Sequence, residues 1–128
     1  MREIKFRAWD VLNKKMLNWG EVFHLPAWEI FPGTPEQRAF EVMQYTGLKD
    51  RNGKEIYEGD IVKFKTLTPN FTKSKDYTIR AISYDVSALC YVADVYSFIG
   101  GPYSALTETV EVLGNIYENP ELFAKVVG

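Results

Sequence analysis

One stretch of the sequence decides the fold: Thr46–Val62, which reads TGLKDRNGKEIYEGDIV. The Asn52-Gly53 dipeptide lies between two strand-like runs, and such a pair supplies the two positive-φ positions that a tight hairpin turn requires. Gly59-Asp60 marks a second turn, after which another strand begins. The stretch therefore predicts a small β domain with tight turns, and it contains no recognisable catalytic motif.

The rest of the chain extends the same pattern. Alternating apolar and polar residues predict about seven or eight strands in all, and little helix. We expect a mainly β fold, an antiparallel meander that curls into a barrel or half-barrel. A short C-terminal helix is predicted to begin at Pro120, with Asn119 as its cap.

Size and composition fit one domain over residues 1–128. The chain is 46% hydrophobic and 15% aromatic, which is enough to form a core without metals or disulfides. Its net charge of −2 argues against a protein that mainly coats nucleic-acid phosphates.

Cellular location follows from what the sequence contains. The start of the chain has no apolar signal segment, and no apolar run approaches the ~20 residues that span a bilayer. The single cysteine, Cys90, forms no intrachain disulfide. We therefore expect a soluble, intracellular protein with no membrane contact.

Five segments of the sequence are distinctive when taken in order: Phe6–Asp10, Lys15–Met16, Gln44–Asp50, Asn52–Val62 and Gly114–Leu122. Together they resemble the YopX family of phage and prophage proteins. The resemblance implies a β-rich pseudo-barrel with a small α+β accessory part, a phage or prophage origin and a place in the cytoplasm of the bacterial host cell. It implies no activity and no catalytic residues.

No set of residues predicts an enzyme, a metal site or a cofactor. His24 and Cys90 are each isolated in the sequence, so they form no dense ligand set and no catalytic pair. The carboxylates around the hairpin are explained by turn chemistry, because Asp50 and Asp60 are each placed to bond the backbone that follows. We expect no catalytic residues, no metal and no cofactor.

The first hypothesis is a non-enzymatic accessory protein that binds a host or phage protein or assembles with itself. Its predicted contact residues are Lys49, Asp50 and Arg51 at the hairpin tip and Phe98 and Tyr103 in an aromatic loop. Self-association is also favoured by charge, because a basic middle segment is followed by an acidic C-terminal part.

The alternative hypothesis is a nucleic-acid-binding small β-barrel. Its predicted contact residues lie in the basic and aromatic segment 63–84: Lys63, Lys65, Lys75, Arg80 and Tyr84. Aromatic rings there would stack on single-stranded bases while lysines meet phosphates. A solvated strand edge protected by lysines explains the same residues, and the net acidic charge favours that explanation.

Overall fold

A computed structural model describes residues 4–25, 40–85, 90–93, 96–98 and 104–122 of the chain. The backbone divides into two compact units, Met1–Tyr45 and Thr46–Gly128. Within the described ranges the fold is mostly β, in two antiparallel sheets with only short helices, which confirms the predicted fold class. None of the helices in these ranges is long and apolar enough to cross a membrane. One domain over residues 1–128 stays a prediction.

The first unit is a small sheet with one short helix. Its elements are β1 (Phe6–Asp10), β2 (Lys15–Leu17), α1 (Trp19–Phe23) and the first half of β3 (Phe40–Lys49). β1 pairs antiparallel with both β2 and β3. A capping box starts α1, because the Asn18 side chain accepts the Glu21 N–H and the Glu21 side chain accepts the Asn18 N–H. The core of this unit consists of Ala8, Leu17 and Val22.

The second unit contains the curled half-barrel. Its elements are β4 (Glu55–Tyr57), β5 (Asp60–Phe64), β6 (Thr78–Asp85), β7 (Cys90–Ala93), β8 (Tyr96–Ser97), a 3₁₀ helix (Thr107–Thr109) and β9 (Glu111–Asn115). Five of these strands form one sheet in the order β8-β7-β6-β5-β9. The buried core contains Ile56, Val62, Phe64, Ile82, Tyr91, Ala93, Ala105 and Val110.

The strand order is more than a simple meander, because β9 returns to the free edge of β5. Val62 pairs with Val112 and Lys63 pairs with Glu111, so an apolar pair and an opposite-charge pair stabilise this contact. The register shifts between Ile61 and Val62 and skips Leu113 of β9. Such a bulge bends the strand and increases its twist, which favours a curled sheet.

The C-terminal helix begins at Pro120, as predicted, and its described part ends at Leu122. The predicted side-chain cap is wrong. The Asn119 side chain turns back and accepts the Asn115 N–H at 3.1 Å. A Cβ added to Gly114 would lie 2.6 Å from the Asn119 Cγ, so glycine is required for this close approach.

Candidate functional site

The tip of the hairpin between β3 and β4, Asp50–Lys54, is a turn with three central residues. The Asp50 N–H donates to the Lys54 carbonyl at 2.8 Å, and the Gly53 N–H donates to the Asp50 carbonyl at 2.9 Å. Gly53 has a φ of 83°, whereas Asn52 does not have positive φ. The prediction of two positive-φ positions is therefore wrong. The pattern is typical of a type I turn followed by one left-handed residue.

The Asp50 carboxylate explains this geometry. Its Oδ1 accepts the N–H groups of Asn52 and Lys54, both at 2.9 Å, as the predicted turn chemistry requires. Its Oδ2 accepts the Val112 N–H of β9 at 3.0 Å. Burial alone raises the pKa of Asp50, but the hydrogen bonds from Val112, Lys54 and Asn52 outweigh it and hold the pKa below 3.8.

The backbone of the tip also attaches to β9. The Arg51 N–H donates to the Val110 carbonyl at 2.8 Å. Together with the bond from Val112 to Asp50, this contact satisfies β9 groups that β5 does not use, and so protects an edge strand. Asp50 is only 7% exposed, and its carboxylate is occupied within the fold. The side chains of Lys49 and Arg51 are exposed.

The aromatic loop that sequence analysis singled out is only partly described. Phe98 is half-buried and packs against the core of the second unit. Tyr103 lies outside the described residues. The structure therefore assigns Phe98 a packing role and leaves the contact role of both residues as a prediction.

The segment 63–84 contains a surface that we call the basic–aromatic surface: Lys63, Lys65, Tyr77 and Ile79. Lys63 and Ile79 face each other across β5 and β6, so the four residues share one face of the sheet. The Nζ atoms of Lys63 and Lys65 lie 5.0 Å and 5.1 Å from the centroid of the Tyr77 ring. Tyr77 is nevertheless 47% exposed and Ile79 is 38% exposed.

The predicted nucleic-acid contact residues do not lie on one face of the sheet, because successive side chains of β6 point to opposite faces. Arg80 and Tyr84 lie on the same face as the buried Ile82, opposite Tyr77 and Ile79. The Arg80 guanidinium donates to the Ile79 carbonyl at 2.7 Å, and the Tyr84 ring packs edge-on against Tyr91 at 5.1 Å. Lys75 is exposed in the loop before β6. The structure brings Lys63 and Lys65 together and separates them from Arg80 and Tyr84.

A second turn, Thr68–Thr72, repeats the hydrogen bonds of Asp50–Lys54. The Thr68 N–H donates to the Thr72 carbonyl at 2.8 Å, and the Phe71 N–H donates to the Thr68 carbonyl at 2.9 Å. The Thr68 Oγ1 accepts the Thr72 N–H at 3.2 Å, as Asp50 accepts that of Lys54. Phe71 occupies the place of Gly53, with a φ of 60°, and is 69% exposed.

Sequence analysis counted Phe71 among the aromatic rings of segment 63–84 but did not select it as a contact residue in its own right, and it did not select Ile79. The signal for Phe71 is the parallel between residues 50–54, DRNGK, and residues 68–72, TPNFT. Both place Asn two residues after a side chain that accepts backbone N–H groups, and the next residue is glycine in one and phenylalanine in the other. No comparable signal marks Ile79, because alternation alone does not show which face of β6 is covered.

His24 and Cys90, the histidine and cysteine considered in the sequence analysis, lie in different units of the chain. His24 is exposed, with its ring 5.9 Å from that of Phe23, and Cys90 is half-buried at the start of β7. Among the described residues, no three His, Cys, Asp or Glu side chains are grouped as metal ligands would be.

The fold and the site together define a class, a small β-rich half-barrel protein with an exposed basic–aromatic surface. The family described as YopX protein matches residues 5–124 of the chain. The chain therefore belongs to the YopX family.

Two solved structures share this fold. Protein EF1440 from Enterococcus faecalis is 25% identical, with a TM-score of 0.59 and coverage of 95% of this chain and 99% of that one. Protein yopX from Bacillus subtilis is 20% identical, with a TM-score of 0.50 and coverage of 95% and 98%. No curated protein matches the chain.

The residues that carry the family resemblance have structural roles. Gly59 has a φ of 85°, and the Asp60 Oδ2 accepts the N–H of the preceding Tyr57 at 2.8 Å. The Asn115 Oδ1 accepts the N–H groups of Tyr117 and Glu118 at 3.0 Å and 2.8 Å. These motifs specify turns, which is why they identify the fold without indicating an activity.

Proposed function

We propose that this protein is a non-enzymatic accessory protein of a phage or prophage, acting in the bacterial cytoplasm by binding another protein chain. The partner is a host or phage protein or a second copy of the chain. The observation that supports this proposal is the basic–aromatic surface, where Ile79 stays exposed on the paired strand β6 and Tyr77 stays exposed directly before it. Binding through this surface requires no chemical reaction of the partner.

The composition of this surface is typical of protein interfaces. Tyrosine and isoleucine supply contact area, and tyrosine is enriched where proteins meet. Lys63 is held by Glu111 at 3.5 Å, and it shares the Tyr77 ring with Lys65. This arrangement fixes the orientation of the Tyr77 side chain, which lowers the entropy lost when a partner binds.

A capture experiment tests the proposal. The tagged protein is immobilised and exposed to lysate of host cells that carry the phage or prophage, with and without nuclease. The test variant combines Tyr77→Ser with Ile79→Thr. The control combines Val11→Thr with Leu12→Ser, because these residues are also exposed apolar side chains but lie in the β1–β2 turn.

The proposal predicts a specific protein that the native chain and the control variant retain, that the test variant loses, and that nuclease does not release. An untagged copy of the chain itself counts as such a protein. Equal retention by the test variant, or retention that disappears with nuclease, would overturn the proposal.

A second candidate function is binding of single-stranded nucleic acid. The observation that favours it is the pair of lysines around the Tyr77 ring. It predicts binding of a labelled oligothymidylate at low salt that declines steeply as salt rises, and weaker binding after Lys63→Glu and Lys65→Glu. The position of Arg80 and Tyr84 on the other face of β6 makes it the weaker candidate.

A further inference from the structure

Phe71 is unfavourable for folding in two independent ways. Its φ of 60° is a left-handed conformation that a bulky L-residue adopts only with strain. Its side chain is 69% exposed, so burial offsets little of that strain. Backbone strain at an exposed aromatic residue is an outlier from which a function can be inferred.

The Asp50–Lys54 turn shows what this backbone prefers. The two turns share their backbone hydrogen bonds, and Gly53 stands at the position of Phe71. A Cβ added at Gly53 would meet nothing within 4 Å, so space does not exclude a side chain there. Glycine is therefore favoured by φ alone, and the same preference applies to position 71.

Segment 63–84, which contains Phe71, is mainly basic, with Asp76 as its one acidic residue. Lys73 and Lys75 are exposed, and neither forms an ion pair with another residue of the described ranges. Glu108 and Glu121 are exposed in the C-terminal part and likewise lack an ion pair within those ranges. The exposed lysines thus follow the Thr68–Thr72 turn, whereas the exposed glutamates lie before and after β9 in the C-terminal part of the chain.

We infer that Phe71 is the anchor of a contact between two copies of this chain, in which the Thr68–Thr72 turn of one copy meets the C-terminal part of the other. Lys73 and Lys75 face Glu108 and Glu121 across this contact, and the Phe71 ring is buried by it. The inference rests on the proposed function and names the partner and the anchor. Attraction between opposite charges sets the orientation, while burial of the ring supplies the affinity.

Single-stranded nucleic acid fits this turn less well. A stacking platform uses several open aromatic rings along a basic groove. In segment 63–84 the Tyr77 ring is already contacted by Lys63 and Lys65, and Tyr84 lies on the other face of β6. Neither Tyr77 nor Tyr84 therefore extends Phe71 into a row of free stacking rings. A protein interface, by contrast, needs only one aromatic anchor.

Sedimentation equilibrium of the full chain over a wide concentration series tests the inference. The native chain should self-associate, and raising the salt concentration should weaken that association. Phe71→Gly should weaken it by at least about 30-fold, the effect of losing an interface hot spot. Urea unfolding of the same variant should show a protein at least as stable as the native chain, which separates lost contact from lost folding.

A swap variant is the matched control. Phe71→Gly combined with Gly53→Phe keeps the composition and places the ring on an equivalent turn at the wrong site. Association should remain as weak as in Phe71→Gly alone. Recovery of association by the swap would show non-specific adhesion of an exposed ring and would overturn the inference.

A charge exchange tests the orientation. Lys73→Glu with Lys75→Glu should abolish self-association, and so should Glu108→Lys with Glu121→Lys. An equimolar mixture of the two variants should associate again. A mixture that stays monomeric, or native protein that is monomeric throughout, would overturn the inference.

The proposed function is tested separately, by the capture experiment with the variant that combines Tyr77→Ser and Ile79→Thr. If Phe71→Gly leaves sedimentation unchanged but weakens binding of labelled oligothymidylate, the turn serves nucleic acid and the inference is wrong.

Discussion

Two turns of the second unit have the same backbone hydrogen bonds but differ in how their side chains contact the rest of the fold. The Asp50–Lys54 turn has glycine at its left-handed position, and its carboxylate and backbone attach to β9. The Thr68–Thr72 turn has phenylalanine there and presents the ring to solvent. The first turn is tied into the fold, whereas the second holds an exposed phenylalanine in a strained left-handed conformation. This difference is the basis of our proposal that the first turn serves folding and the second serves a partner.

The largest expected difference between the turns comes from their first residues. Asp50→Ala removes the acceptor of three backbone N–H groups in a buried site, and should lower the free energy of unfolding by about 3 kcal/mol. Thr68→Ala removes a neutral acceptor of one backbone N–H on a half-buried residue, and should lower it by less than about 1 kcal/mol. Urea unfolding of both variants measures the difference, and equal losses would show that the attachment to β9 is unimportant.

Part of the contribution of Asp50 to the free energy of unfolding depends on pH. Because the pKa of Asp50 is lower in the folded protein than its ordinary value of 3.8, the stabilisation is fully present above 3.8 and is lost as the pH falls through the folded-state pKa. Asp50→Asn should therefore be clearly less stable than the native chain near neutral pH, and the gap should narrow below 3.8. A gap that stays constant across this range would contradict a charged role for Asp50.

Asp10 makes the pH comparison sharper. Hydrogen bonds from the Asn13 side chain and backbone hold its pKa below 3.8 as well, yet the donors to its carboxylate, Leu12 and Asn13, lie within the β1–β2 turn. Asp10→Asn should show the same direction of pH dependence with a smaller loss at neutral pH, because no distant strand depends on it.

A smaller effect is expected at the left-handed position of the first turn. Gly53→Ala adds a Cβ to open space at a φ of 83°, so its whole cost should be backbone strain, about 1 to 2 kcal/mol. Thermal and urea unfolding give this value directly. A loss close to zero would remove the argument that Phe71 is strained.

The sequence predicted the fold because its clearest signals are local. Gly53, Gly59 and Asp50 occupy turns that depend on neighbouring residues, and Pro120 marks a helix start for the same reason. The return of β9 to β5 was not predicted, since it depends on contacts between residues some fifty positions apart, such as Lys63 and Glu111. Long-range pairing leaves no local pattern in one sequence.

The candidate site was predicted only in part for a similar reason. Asp50 was predicted both to form the turn and to contact a partner. Its carboxylate instead accepts three backbone N–H groups within the fold, and the residue is buried. Of the predicted nucleic-acid contact residues, Lys63 and Lys65 lie at the same Tyr77 ring, while Arg80 and Tyr84 lie on the other face of β6. Their contact roles stay predictions. Phe71 counted only as one of several aromatic rings in segment 63–84, because its strain is visible only in the backbone angle.

The account depends on Phe71 serving association at the expense of folding, and Phe71→Gly measures both effects in one protein. Relief of the left-handed strain exceeds the added chain entropy of glycine, so the free energy of unfolding should rise by about 0.5 to 1 kcal/mol. Sedimentation of the same sample should show association weakened at least about 30-fold. A variant that unfolds more easily than the native chain and still associates as tightly would contradict the account.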